Sequence, residues 1–139
     1  MKASIYITKQ SLAQFERQAN KLIKEVNEGK TKILGDQAKL VRDRIREKAP
    51  MGPPTDKKPG SLKKAAYSAV IPPSMNGPAV AFAGIRPRKA PHAHLVEFGH
   101  GGPHPAPPHP FVRPAWDGVK DEVRNNIANA LGKTVEGAV

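Results

Sequence analysis

All fifteen prolines of this 139-residue chain fall between Pro50 and Pro114. A proline inside a helix removes a backbone donor and clashes with the preceding turn. Residues 1–49 and 115–139 are therefore free to form long helices. The middle is confined to strands, turns and short helical pieces. No internal repeat is visible.

In the N-terminal part, Ile5 and Ile7 alternate with polar residues over 3–8, the pattern of a short strand. Ser11 followed by Gln14 has the form of a capping box and predicts a helix start. Leu12, Phe15, Ala19, Leu22, Ile23 and Val26 then recur at helical spacing, and the spacing resumes with Ile33, Leu34, Ala38, Val41 and Ile45. Gly29 weakens or ends the first run, so the segment is one long bent helix or two in sequence, stopping before Pro50. The opposite face carries Lys32, Lys39, Arg42, Arg46 and Lys48.

Residues 50–61 read as a mobile loop. Two strands are expected at 62–71 and 79–86, joined through Pro72 to Pro78, a connection too long for a tight turn. The run Ala79-Val-Ala-Phe-Ala-Gly-Ile-Arg86 is expected to be buried on both faces. A short helix is expected over 92–99, followed by a Gly/Pro/His loop that packs no core. Pro114 suits a first helical position, and Trp116, Val119, Val123, Ile127, Ala130 and Leu131 mark one face of a final helix ending near Gly132.

The resulting expectation is one α+β domain over 1–139. A small antiparallel sheet of three or four strands is combined with a long N-terminal helix or helix pair, a short central helix and a C-terminal helix. Its segments are a strand plus helical arm over 1–49, a loop over 50–61 and a β-hairpin over 62–86. The short helix and His/Pro-rich loop over 90–113 and the C-terminal helix over 114–132 complete it. Val, Ile, Leu and Phe make up only 29 residues, about 21% of the chain and close to the level at which disorder begins. The core should be thin and lean on partner subunits.

Composition removes several classes of function. Without cysteine there is no disulfide scaffold, thiolate zinc site or cysteine nucleophile. Met1 to Thr8 has too short an apolar run for a signal peptide. Ala65 to Ile85 is uncharged but interrupted by Pro72, Pro73 and Pro78, so no membrane span is expected and a soluble protein made in a cytoplasm is. His92, His94, His100, His104 and His109 fall within 18 residues, yet no helical pair spaced for zinc and a catalytic Glu occurs among them. They read as loop and interface histidines, with metal binding the lesser alternative. There is no phosphate loop, nucleophile elbow or carboxylate cluster. No enzyme activity, cofactor or metal is expected.

The net charge of +11 is uneven: residues 1–70 hold 16 basic and 7 acidic side chains, residues 71–139 hold 7 and 5. Such an excess points either to polyanions or acidic protein surfaces as neighbours, or to a solvated basic surface. Lys39, Arg42, Arg46 and Lys48 are the candidate contacts to DNA or an acidic partner. Glu97 is the one acidic residue from Lys57 to Arg113.

Two stretches carry a family pattern: Leu95-Val-Glu-Phe-Gly99, and Pro110-Phe-Val-Arg-Pro-Ala115 beyond a Pro-rich loop. Together they resemble the neck proteins of long-tailed phages and prophages, the head–tail joining or tail-completion family described as gene-product-ten-like. Ala49-Pro50 and Gly60-Ser-Leu-Lys-Lys64 fit the same pattern upstream, and the likeness covers about residues 45–131. Met51 to Pro59 lengthens a loop relative to that family, and His100 stands where a Thr is usual.

The resemblance implies a structural virion protein: a homo-hexameric ring in the neck around the DNA channel. Its neighbours would be a head-completion or connector protein on one side and a tail terminator or tail tube on the other. It would be found in the virion, and in the host cytoplasm during assembly. The alternatives are a tail terminator or head-closure protein of the same neck, or a basic nucleic-acid-binding protein. The motif residues expected at the base of the loop or in an interface are Glu97, Phe98, Gly99, Pro110, Phe111, Arg113 and Pro114. Phe98 and Phe111 are expected to anchor the loop in the core, Glu97 and Arg113 to pair across its base, and Gly99 to adopt positive φ.

Overall fold

The computed structural model describes residues 8–52 and 57–138, and the strand expected at 3–8 lies almost wholly outside them. One helix, α1, runs unbroken over Lys9–Lys48, about 60 Å at the usual rise. Thr8 rather than Ser11 caps it: Thr8 Oγ1 accepts from the Ser11 N–H at 3.1 Å, and Ser11 Oγ donates back to the Thr8 carbonyl. Both residues have a capping hydroxyl, and the earlier one leaves Lys9 and Gln10 free to be helical. The helix stops at Ala49, one residue before Pro50, as expected.

Gly29 does not end α1. It lies where the C-terminal helix α4, Val112–Ala138, crosses closely. A Cβ at Gly29 would meet the Thr134 methyl at 2.9 Å. Further along, Asn126 Nδ2 donates to Gln37 Oε1. Residue numbers that rise on one helix fall on the other, so the pair is antiparallel. The contact at Thr134 also accounts for α4 running past Gly132 to Ala138. Helix packing outweighs the helix penalty of a glycine, about 1 kcal/mol.

Between these helices the chain forms α2 (Ser61–Ala65), β1 (Ala66–Ile71), β2 (Val80–Ile85) and α3 (Ala93–Phe98). The strand expected from residue 62 begins at Ala66 instead. Leu62 and Ala65 are both buried, three apart, which is helical rather than alternating spacing. Among the described residues the sheet has two antiparallel strands, not three or four, in the register Ala66↔Ile85 to Ile71↔Val80. Their connection is closed by a tight turn, with Ser74 and Gly77 exchanging both backbone hydrogen bonds.

One sheet face lies against α1, where Val70 packs at Gly35 and Arg42 reaches Ser68. The other leaves Ile71, Val80 and Phe82 exposed, so β2 is not buried on both faces. An uninterrupted apolar strand usually means cover on two sides. Here the helices cover one.

The core sits where the C-terminal part of α1, α2, the start of β1 and the start of α4 meet, around Ile45, Leu62, Phe111 and Val119. Among the described residues, six of the twelve buried apolar side chains are alanines, which bury little area each, so the core is thin as the composition indicated. The N-terminal half of α1 adds nothing to it: of residues 9–25 only Ala19 is even half-buried. Leu12, Phe15, Leu22 and Ile23 form an exposed apolar stripe there, with Phe15 67% exposed. No helix of the described chain is long and apolar enough to cross a membrane.

Phe111→Ala should therefore lower stability by about 3–5 kcal/mol, the usual loss for emptying a buried aromatic site. Phe15→Ala should stay within about 0.5 kcal/mol. Urea midpoints of the two variants at unchanged slope measure both.

Candidate functional site

The two motif segments meet at the start of α4. A helix begins with backbone N–H groups that have no partner inside it. Phe111, at the cap position, has no polar side chain to offer them. Glu97, the penultimate residue of α3, supplies the acceptor instead. Its Oε2 accepts from the N–H of Phe111 at 2.7 Å and of Val112 at 3.0 Å, and its Oε1 accepts from the N–H of Arg113 at 3.0 Å. The next residue, Pro114, has no N–H. Ala115 then donates to the Phe111 carbonyl and starts the helical ladder. Every donor at this helix end is thereby satisfied or absent. The negative carboxylate also lies at the positive end of the α4 dipole. Glu97 is 9% exposed and is the one buried charged residue among those described.

This geometry revises three expectations. Glu97 and Arg113 do pair, but through the Arg113 backbone: the carboxylate is filled by N–H groups, and the Arg113 side chain is exposed with no ion pair among the described residues. Pro114 is the third residue of α4, not the first, since the helix begins at Val112. Phe111 anchors the loop at 1% exposure, but Phe98 is 77% exposed and anchors nothing. Phe98 follows Glu97 directly on α3, so turning the carboxylate inward sets the ring outward.

Gly99 has φ +72°, as expected of a stop after a short helix. A Cβ there would sit 2.7 Å from the Pro108 nitrogen and 2.8 Å from the Ala106 carbonyl oxygen, both backbone. The loop returns across this point. His100 and Ala106 exchange two backbone hydrogen bonds, and the His109 N–H donates to the Val96 carbonyl at 2.7 Å. Pro110 is exposed beside it. The loop is thus closed at its base by backbone bonds, while nearly all of its side chains face solvent.

Beside the clasp, a groove of about 770 Å³ opens between β2, α3 and α4. Ile45, Ile85 and Phe111 line it, and Phe98, Trp116 and Arg113 border it. Trp116 is 40% exposed. Its helical spacing placed it on the core face of α4, and nothing in the sequence marked it as half-open. No three His, Asp or Glu side chains among the described residues are placed to hold a metal ion.

Three of the four basic candidates on α1 lie within reach of a carboxylate, though two of them share one. Lys39 pairs with Asp36, and Arg42 and Arg46 both reach Asp43. Lys48 alone of the four is exposed with no ion pair among the described residues. Further cations without an ion pair among the described residues come together at the end of the hairpin, on Lys63, Lys64, Arg88 and Lys89 near Arg86. The signal for them was the lack of acids between Lys57 and Glu97. No family model, curated protein or solved structure matches this chain.

Glu97→Ala should cost about 3 kcal/mol or more, because one buried and two partly buried donors lose a charged acceptor. Glu97→Gln should cost less, as one oxygen remains while the amide turns a donor toward a donor. Gly99→Ala should cost about 1–3 kcal/mol from backbone strain alone. Urea unfolding ranks the three, and an Ala variant as stable as the native chain would refute the clasp's role.

Proposed function

We propose that this chain is a structural protein of a phage neck, joining head to tail as a ring of six copies around the DNA channel. Its work is done by binding energy, not by catalysis. The observation that carries this reading is the Glu97 clasp. The two motif segments, eleven residues apart in sequence, close on one carboxylate and present a fixed loop beside an open groove. The two stretches that resemble the neck-protein pattern here form one built unit.

The exposed surface supports the same reading. Leu12, Phe15, Leu22 and Ile23 on α1, Phe82 on the sheet and Phe98 and Trp116 at the groove are apolar and uncovered in the single chain. Apolar exposure on this scale marks surfaces that associate. A thin core with large uncovered apolar faces suits a subunit that completes its burial on assembly. Neighbouring rings, connector-like on the head side and terminator- or tube-like on the tail side, would cover the loops at 72–78 and 99–110.

Light-scattering mass should be measured for the purified protein alone and mixed with head and tail particles of its source. A ring found at the head–tail junction of the joined particles is the expected result. A protein that stays out of those particles would overturn the reading. Arg113→Ala should keep the native urea midpoint and reduce incorporation on the order of tenfold, since the exposed guanidinium sits beside the clasp without an internal partner.

A further inference from the structure

The charge of this protein is sorted in space. On α1, Lys21, Lys24, Lys39, Arg42, Arg44 and Arg46 each lie beside an acidic side chain, and on α4 so do Lys120 and Arg124. Glu97 is spent on backbone donors. Other cations also lack an ion pair among the described residues, Lys30, Lys32 and Lys48 on α1 and Arg113 on α4 among them, and the end of the hairpin where β1 begins and β2 finishes gathers five more.

Because the strands are antiparallel with Ala66 opposite Ile85, the residues before β1 and after β2 share that end. The Arg86 N–H donates to the Ala65 carbonyl at 2.9 Å and ties α2 to the turn that follows β2. Leu62 and Ala65 face the core, so Lys63 and Lys64 occupy the outward side of α2. The turn from Arg86 to Ala90 is closed by the N–H groups of Lys89 and Ala90 on the Arg86 carbonyl, and Ala90 is buried beneath it. That leaves Arg86, Arg88 and Lys89 exposed on a fixed backbone. Arg86 is steadied over the Tyr67 ring, 5.4 Å from its centroid. None of the five cations has an ion pair among the described residues.

We infer that Lys63, Lys64, Arg86, Arg88 and Lys89 form a contact site for the phosphate backbone of duplex DNA. Five like charges held together without counter-charges repel one another, and a polyanion relieves this while releasing its condensed counterions. The one aromatic neighbour of the patch, Tyr67, is half-buried against Arg86, and the patch exposes no large apolar side chain, whereas protein interfaces rely on aromatic anchors and are poor in lysine. The anchors on this molecule are elsewhere, at Phe98 and Trp116. Nothing in the patch is built to read base edges, so binding is independent of sequence. The inference deepens the neck reading, from which it takes its duplex, the genome in the channel.

The test is fluorescence anisotropy of the full chain with a labelled duplex of about 25 base pairs over a range of salt concentrations. Five phosphate contacts predict a slope of log affinity on log salt of about −4 to −5. The triple variant R86Q/R88Q/K89Q should weaken binding on the order of tenfold or more and reduce the slope by about 3. The double variant K21Q/K24Q removes two cations that sit beside glutamates and should leave both nearly unchanged, with circular dichroism confirming the fold of each.

Unchanged affinity and slope in the triple variant would overturn the site. So would tighter binding to polyglutamate than to DNA at equal charge, which would mark an acidic protein as the partner. A chain that binds duplex through this patch but never enters particles would keep this inference and refute the neck reading. A chain that enters particles but whose triple variant binds DNA like the native protein would do the reverse.

Discussion

The carboxylate of Glu97 joins the middle of the chain to its C-terminal helix, and most of the architecture follows from that join. A helix that starts at a phenylalanine has no side-chain cap of its own. Glu97 satisfies three of the free donors and Pro114 removes the next. With its end satisfied inside the protein, α4 can begin in the core instead of in water. Phe111 then fills the space beside Ile45, and Val119 and Val123 lie along the same buried seam. From that fixed start α4 runs back along α1 to the close crossing at Gly29 and Thr134. The loop from Gly99 to Pro110 is held by the same join, since both its ends lie within a few residues of the clasp.

The remainder of the molecule is lightly built. Half of the core is alanine, the sheet has two described strands, and the N-terminal half of α1 packs on little. The fold keeps one compact end and leaves apolar stripes on the arm, the outer sheet face and the groove rim. It also separates two kinds of surface. Aromatic side chains border the groove beside the clasp, and uncompensated cations occupy the hairpin end.

Local signals in the sequence were largely sound. Proline confined the long helices to the two ends, Pro50 stopped α1, and Gly99 took the positive φ its position demanded. The spacing of Val41, Ile45, Val119 and Val123 marked real buried faces. Errors arose where a distant segment changed the balance. Gly29 read as a weak point or end and Gly132 as a stop because the penalty of glycine is local, while the crossing at Thr134 that overrides it joins residues about a hundred apart. Phe98 read as an anchor because it is aromatic and lies in a motif, but its neighbour Glu97 turned inward. Lys39, Arg42 and Arg46 read as a basic face because the acidic neighbours that reach them, one to three residues away, act pair by pair and do not show in the total charge.

The sequence by itself determined where helices are possible, the α+β class, the thinness of the core and the two halves of the Glu97 motif. These are matters of backbone geometry and composition, and they act over a few residues. The tertiary structure alone decided that a carboxylate on α3 caps a helix fourteen residues away, that the sheet has a single covered face, and which cations remain unpaired. Each of those depends on which surfaces come together. No periodicity or spacing records that, because the partner of each group lies beyond the reach of its own local pattern.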